Sequence, residues 1–374
     1  MRLGFDISQI VYLGTGVARY NRGLVEAILK YDQENHWTFL FSSLRQKIDP
    51  ELKERILEKN FSLKEYKLPP TLISLLWNRF HRINLEWVTG DLDWFITSDW
   101  TEPPTKNTRK ATVIHDLVFL RYPETVDWKI VKTQQHRLIH VCQESEIIFT
   151  DSQASKQDIL TYLDIPDKKI KVVYPGVKIT KVKPAVVEQT LNKYKLNNPF
   201  ILSVGKQEPR KNIKRLIKAF TQTEIKNIDL VVVGPLGWDL DNKIPINRLI
   251  GNAGKKVKYL GLVSEQELVS LYQACLFFVY PSLWEGFGYP IIEAMQLGVP
   301  VATANTSSMK EIGKAVALLF NPEKTEDIKN KLSLMIENKK LRIELSKKGR
   351  ERAKEFTWEK AYEQIISSFK KGES

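Results

Sequence analysis

The sequence predicts an α/β protein built from two Rossmann-like, doubly wound parallel-sheet domains. Three observations predict it. Short apolar, β-rich runs alternate with longer amphipathic segments almost throughout, the pattern of parallel strands joined by crossover helices. The chain has 374 residues, more than one ordinary core organises. Midway, "YPGVKITKVKPAVVEQT" carries prolines and lysines and loses clear periodicity, and a fresh strand then opens at Phe200. The domain boundary is therefore expected within residues 175–198.

In the first half, strands are expected at 3–7, 38–41, 94–97, 112–115 and 147–150, each a short run of apolar or β-branched residues. Apolar residues at helical spacing predict helices near 17–30, 70–83, 126–144 and 152–163. In the second half, strands are expected at 200–204, 230–233, 257–260, 276–280, 299–303 and 317–320. Helices are expected near 213–221, 264–274, 290–297 and 325–356. Open α/β sheets bind ligands at the carboxyl ends of their strands, so both halves should aim their sites at a cleft between them.

Composition narrows the class. Hydrophobic residues make up 43% and charged residues 27%, ordinary for a soluble globular chain. Cys142 and Cys275 are the two cysteines, with no C-x-x-C spacing, which excludes a zinc or disulfide framework and fits a reducing compartment. "MRLGFDISQ" reads as a strand and not a signal peptide. The longest apolar runs, "CLFFVYPSLW" and "TLISLLW", fall short of the roughly 20 residues that span a bilayer. A cytoplasmic protein is expected, soluble or peripheral at the inner membrane face. The net charge of +13 suits a lysine-rich solvated surface or an anionic partner. No zinc finger, RRM signature or basic heptad is present, so nucleic acid is not an expected partner.

"PSLWEGFGYPIIEAMQLGVPVATA", residues 281–304, is the most unusual stretch. An apolar strand precedes it. Glu285 lies just past that strand's carboxyl end, and Gly286 and Gly288 permit a tight turn. Pro290 fits a first helical turn, Gly298 ends the helix, and "VPVAT" starts the next strand. The free N–H groups at such a helix start can hold an anion or hydroxyl. Glu293, within the helix, can accept hydrogen bonds from a vicinal diol.

The pattern "EGFGYPIIEA…GVPV" resembles the E-x7-E signature of retaining glycosyltransferases of family 4, glycosyl transferases group 1, which have the GT-B fold. Further segments match in position and character: "YLGTGVARYNRGLVEAI", "TVIHDLVFLRYPE", "TDSQASKQDIL", "VVYPGV", "SVGKQEPRKNIKRLIKAF" and "YLGLVSEQEL". The resemblance implies an N-terminal acceptor domain at 1–180, joined by a returning C-terminal helix at 357–374, and a C-terminal nucleotide-sugar domain at 196–356. It implies that Glu293 holds the ribose hydroxyls and that Glu285 lies beside the donor sugar. Gly286 and the backbone amides of Phe287, Gly288 and Tyr289 would lie near the sugar, and the Val263 backbone would meet the nucleobase. His115, which ends a strand in "VIHD", would contact the donor sugar.

Each position also has a physical reason. Lys206, Arg210 and Lys211 cluster after strand 200–204, and cations at a helix start oppose the helix dipole, so an anionic ligand explains them better than a surface does. They can neutralise a leaving diphosphate without a metal, through charge-assisted bonds of roughly 1.5–3 kcal/mol each. Many relatives in the family carry Arg where Lys206 stands. Gly14 and Gly16 follow the first strand, where a loop can approach phosphates. "GTGVAR" lacks the third glycine of a dinucleotide fingerprint.

Two D-x-D strings occur, Asp91–Asp93 and Asp239–Asp241. The first precedes its strand and the second lies in a polar loop, so both read as structural and no obligatory metal or other cofactor is expected. "PPTLISLLWNRFHRI" places Leu72, Leu76, Phe80 and Ile83 at helical spacing, which reads as core packing ahead of docking on an anionic membrane.

Glu285, His115 and Lys211 are the expected catalytic residues. The donor-binding set is Gly16, Lys206, Arg210, Lys211, Val263, Glu285, Gly286, Phe287, Gly288, Tyr289 and Glu293. The expected reaction moves a sugar, with a lean to mannose from GDP-mannose, onto a glycan or lipid-linked acceptor. The alternatives are a non-hydrolysing UDP-sugar 2-epimerase of the same fold and a non-enzymatic polyanion binder.

Overall fold

The computed structural model describes residues 1–12, 14–235 and 256–371. It divides into two compact units, Met1–Gly176 with Thr357–Ser374, and Val177–Phe356. The first unit holds a seven-stranded sheet of β1 (Arg2–Asp6), β2 (His36–Ser42), β3 (Ser62–Tyr66), β4 (Trp94–Thr97), β5 (Arg109–Ile114), β6 (Ile147–Thr150) and β7 (Ile170–Val172). Their order is β3-β2-β1-β4-β5-β6-β7, and each pair is parallel. The second unit holds β8 (Phe200–Val204), β9 (Asp229–Val233), β10 (Val257–Gly261), β11 (Phe277–Tyr280), β12 (Val301–Ala304) and β13 (Leu318–Phe320). Its parallel order is β10-β9-β8-β11-β12-β13.

Each order reverses once. Chain order runs outward from β1 to β3 on one side, then jumps to β4 on the other, and β8 and β11 repeat the pattern. At such a switch point the connecting helices leave on opposite faces and a crevice opens at the strand ends. The inner strands are apolar on both faces, as parallel strands covered by helices must be, with Phe5, Phe95, Ile201 and Leu202 fully buried.

The returning helix Trp358–Lys371 completes the first unit. Ala361, Ile365, Ile366 and Phe369 enter its core, where Phe369 stacks on Trp94 at 4.8 Å. Trp358 meets Tyr20 edge to face at 5.6 Å. The ring is admitted only because Gly23 and Gly176 lack side chains: a Cβ at Gly23 would lie 2.0 Å from it, and one at Gly176 would lie 2.2 Å from the Trp358 backbone nitrogen.

Several elements depart from the expected ones. The edge strands β3 and β7 are short and partly polar, and the helix Pro50–Glu58 buries only Leu52 and Ile56. The expected linker contains a helix, Pro184–Lys193. It packs on the helix Glu265–Ala274, and Gln273 closes the neighbouring backbone by accepting from Val182 N at 2.7 Å. The single helix expected over 325–356 is two, Thr325–Glu337 and Lys339–Ala353, because the Asn338 side chain accepts from Leu341 N at 2.8 Å and caps a new start.

Segment 70–83 is also revised. Only Pro70–Ser74 is α-helical, and Leu75–Arg79 widens into a π turn. That shift rotates the packing face: Ile73 and Trp77 are buried, while Leu72, Phe80 and Ile83 are exposed. Asp93 accepts from Arg2 N at 2.7 Å at the amino end of the sheet, a structural role. Asp239–Asp241 lies outside the described residues. Among the described residues, no helix is long and apolar enough to cross a membrane.

Gly23→Ala should destabilise the chain by about 1–3 kcal/mol through overpacking on Trp358, although Ala is the better helix former by up to about 1 kcal/mol. A urea midpoint equal to or above that of the parent would refute the close contact.

Candidate active site

In the second unit, the loops after β8 and β11 meet at the switch point. The loop after β8 turns tightly: Gly205 N donates to Val233 O at 2.9 Å. Gly234, at φ +143°, passes so close that a Cβ there would lie 2.1 Å from Gly205 O. Lys206 is exposed on this turn. The single turn Pro209–Lys211 follows and carries Arg210 and Lys211 inward.

There the structure brings three of the expected residues together. Lys211 Nζ donates to Glu285 Oε1 at 2.7 Å and to the Tyr280 hydroxyl at 2.9 Å. Arg210 Nη1 lies 2.9 Å from Glu285 Oε2 and 2.6 Å from Trp284 O, and Nη2 donates to Glu208 Oε1 at 2.8 Å. All three charged side chains are at most 15% exposed. Burial alone would raise the Glu285 pKa, but the adjacent Arg210 and Lys211 outweigh it and hold the carboxyl at about 2. Burial likewise works against the Lys211 ammonium, and Glu285 reverses that effect, so Lys211 stays protonated. Burial, then the Glu285 charge, push Tyr280 up to about 12, so it stays a neutral hydroxyl.

The Glu285 backbone is gripped as firmly as its side chain. Glu285 N donates to Ser307 Oγ at 3.0 Å, and Ser308 Oγ donates to Glu285 O at 2.9 Å. Thr306 Oγ1 reaches Leu283 O at 3.0 Å. Asn212, in the left-handed region at φ 59°, donates its side-chain amide to Pro281 O at 3.0 Å and to Pro322 O at 2.8 Å, tying three loops together. Sequence reasoning missed Tyr280, Asn212 and the Thr306–Ser307–Ser308 run. Asn212 inside "PRKN" was the available signal, since Asn tolerates the left-handed conformation.

Gly288, at φ +106°, precedes the helix Tyr289–Leu297. Pro290 stands in its first turn, and Gly298, at φ +78°, ends it. Phe287 is buried against Tyr289 and Phe356 at ring separations of 5.1 and 5.8 Å, which orients the turn. Glu293 lies on the helix's second turn and is 5% exposed. The hydroxyl of Tyr272, another residue the sequence did not flag, donates to Glu293 Oε2 at 3.2 Å. Val263 is half-buried in the turn after β10.

Gly16 and His115 belong to the first unit. Gly16 is exposed and opens the helix Gly16–Tyr31, whose Thr15 cap accepts from Ala18 N at 3.1 Å. His115 follows β5, and its Nδ1 lies 2.7 Å from Asp151 Oδ2, after β6. At the β1–β4 switch point, Asp6 Oδ2 accepts from Ser98 Oγ at 2.9 Å and Thr101 Oγ1 at 3.1 Å, fixing the loop after β4. A cavity of about 740 Å³ opens beside it, lined among others by Tyr12, Thr15, Asp99, Trp100 and Trp128.

Residues 188–352 match the family model for glycosyl transferases group 1. The chain carries a glycosyl transferases group 1 domain. O-antigen chain mannosyltransferase B of Escherichia coli is 28% identical over 384 residues, covering 99% of this chain and all of that protein. Among solved structures, a sucrose-phosphate synthase from Thermosynechococcus elongatus matches with a TM-score of 0.76 at 18% identity, over 99% of this chain and 98% of that one. HepE of Anabaena, in complex with UDP and glucose, matches with a TM-score of 0.71 at 16% identity, over 99% of this chain and all of that one. These likenesses show the GT-B fold of this glycosyltransferase.

The ion cluster dictates an acid response. Because the folded pKa of Glu285 lies below its ordinary 4.5, its contribution is complete above pH 4.5 and is lost as pH falls toward 2. That loss should reach about 3 kcal/mol. Glu285→Gln should lose less stability over this interval in acid unfolding curves, and a parallel response in both proteins would exclude the paired carboxylate as its source.

Proposed function

We propose that this glycosyltransferase is a retaining mannosyltransferase. It would move mannose from GDP-mannose to a hydroxyl of a glycan or lipid-linked acceptor without an obligatory metal. The observation that carries the reading is the buried Arg210–Lys211–Glu285 cluster at the β8–β11 switch point. The name of the E. coli relative supports mannose as the sugar.

In this reading Lys211 and Arg210 face the donor diphosphate, and Lys206 reaches it from the adjacent turn. Two fixed cations stabilise the charge that grows on the leaving group, and they need no reorganisation because Glu285 already holds them. Glu285 itself remains a carboxylate beside the sugar. Its Lys211 and Arg210 bonds occupy both oxygens, which makes it a poor nucleophile and suits attack by the acceptor on the face the diphosphate leaves. Glu293, oriented by Tyr272, accepts from the ribose diol. The amides following Glu285 and the Val263 backbone complete the donor contacts, with Gly16 near the phosphates.

The acceptor takes the first-unit cavity beside Asp99, Trp100 and Trp128, whose aromatic faces suit the C–H faces of sugars. The exposed Leu72, Leu75, Phe80 and Ile83, interleaved with Arg79 and Arg82, suit peripheral contact with an anionic membrane that presents a lipid-linked acceptor.

Nucleotide release from GDP-mannose and the common UDP-sugars, with EDTA present, tests the reading. Slow hydrolysis of GDP-mannose is expected, and a complete loss that added metal restores would refute metal independence. Lys211→Ala should lower turnover about 10²–10³-fold, and wild-type turnover would remove its diphosphate role. Glu293→Ala should weaken donor binding, measured by calorimetry, by at least about tenfold, the loss of one charge-assisted bond of about 1.5–3 kcal/mol. Unchanged affinity would remove the ribose assignment.

A further inference from the structure

His115 sits in an acidic setting that the donor contact alone does not require. Its Nδ1 is 2.7 Å from Asp151 Oδ2, and both side chains are largely buried, at 12% and 5% exposure. Among the described residues, its other ring nitrogen, Nε2, has no hydrogen-bond partner. The ring is clamped by packing. Tyr20 meets it edge to face at 4.7 Å, and Tyr20 is itself braced by Trp358 of the returning helix. Ser155 Oγ donates to the His115 carbonyl at 2.9 Å, and Ser152, the cap of the helix Gln153–Tyr162, accepts from Ser155 N at 3.0 Å. The backbone, the ring plane and one ring nitrogen are thus all fixed, and only Nε2 is left to meet something else.

We propose that Asp151 is a positioning residue for the reaction: it holds His115 as an imidazolium, with Nδ1–H on the carboxylate and Nε2–H presented to an oxygen of the donor. The inference rests on the reading of His115 as a donor contact. A neutral imidazole would have one N–H. With that proton on Nδ1 for Asp151, Nε2 would offer a lone pair, which repels a phosphate oxygen and can only accept from a hydroxyl. The second proton turns Nε2 into a donor. No proton is transferred; the cation is a fixed hydrogen-bond donor.

The groups facing the ring agree. Burial alone would keep His115 neutral, yet the charge and hydrogen bond of Asp151, with Asp99 and Asp116 behind them, push it up to about 9. Tyr20 is buried and stays a neutral phenol. Arg137, which acts on Asp99 as His115 does, is spent on Asp99 at 3.0 Å, on Thr112 Oγ1 at 2.8 Å and on Val113 O at 2.8 Å.

Histidine-selective ¹⁵N NMR of the full chain, with His115→Gln for assignment, tests this directly. In the parent protein His115 should stay doubly protonated through neutral pH and titrate near pH 9. In Asp151→Asn it should titrate well below the parent, because only the weaker pull of Asp99 and Asp116 then opposes burial. Donor hydrolysis adds a functional readout. Asp151→Asn should lose about tenfold in turnover for each pH unit above the new His115 pKa, where the doubly protonated fraction falls by that factor. The parent should stay level to pH 8, and Asp151→Glu should restore much of the difference. A parent His115 that titrates at or below 6.5 overturns the proposal, even if Asp151→Asn fails to fold. So does a pH profile that Asp151→Asn leaves unchanged. A parent protein that releases no nucleotide from any donor would instead refute the transferase reading, while the NMR titration still decides the pairing.

Discussion

The second unit depends on a buried charge problem and its solution. Arg210, Lys211 and Glu285 lie where water is scarce, and an unpaired ion there would cost several kcal/mol. Each is paired, and the pairs are mutual: one carboxylate serves two cations, and Arg210 also donates to Glu208 and the Trp284 carbonyl. The arrangement is tolerable only if the loops carrying these groups cannot drift. Asn212, Thr306, Ser307 and Ser308 supply that restraint with side-chain bonds to backbone, which fix position without adding charge. The sheet order places the problem there, because the loops after β8 and β11 are neighbours only at the switch point.

Such a cluster is ready for an anion. A ligand phosphate entering it would meet cations already held at fixed positions, so the cost of ordering them is met on folding and not on binding. Glu285 then plays two parts. Before the donor arrives it keeps Lys211 and Arg210 charged and buried. With a donor bound, as proposed above, it would become the acidic wall of a site whose cations are shared.

Much of this was legible in the sequence, and the reasons differ by element. The inner strands announced themselves because burial on both faces demands continuous apolar runs, as in "FILSV" and "FFVY". The Gly288–Pro290–Gly298 turn and helix were legible because left-handed φ values restrict residue choice. Edge strands β3 and β7 were not, since a half-exposed strand such as "SLKEY" has too little apolar pattern. The outward turn of Leu72, Phe80 and Ile83 was hidden by a π turn, which shifts the face without altering the spacing. Lys211 and Glu285 were found through charge and motif, but their contact was not, because 74 residues separate them and only the β8–β11 pairing joins them. Asp151 and Tyr272 were invisible for a related reason: a positioning residue is defined by what it touches, and contacts across a sheet leave no local pattern.

The two units, each taken by itself, answer the same electrostatic question in the same way. In the second, a carboxylate after β11 holds a cation from the loop after β8. In the first, a carboxylate after β6 holds a cation from the loop after β5. Both pairs stand at strand carboxyl ends, both are nearly dry, and in both the carboxylate keeps charged a base that burial alone would disfavour. They differ in what remains free. Lys211 keeps one N–H of its ammonium beyond the two given to Glu285 and Tyr280, a compact point charge suited to a phosphate oxygen. His115 keeps a single N–H on a rigid ring, suited to one oxygen in one place. The fold supplies both by the same means, a buried acid chosen for the base beside it.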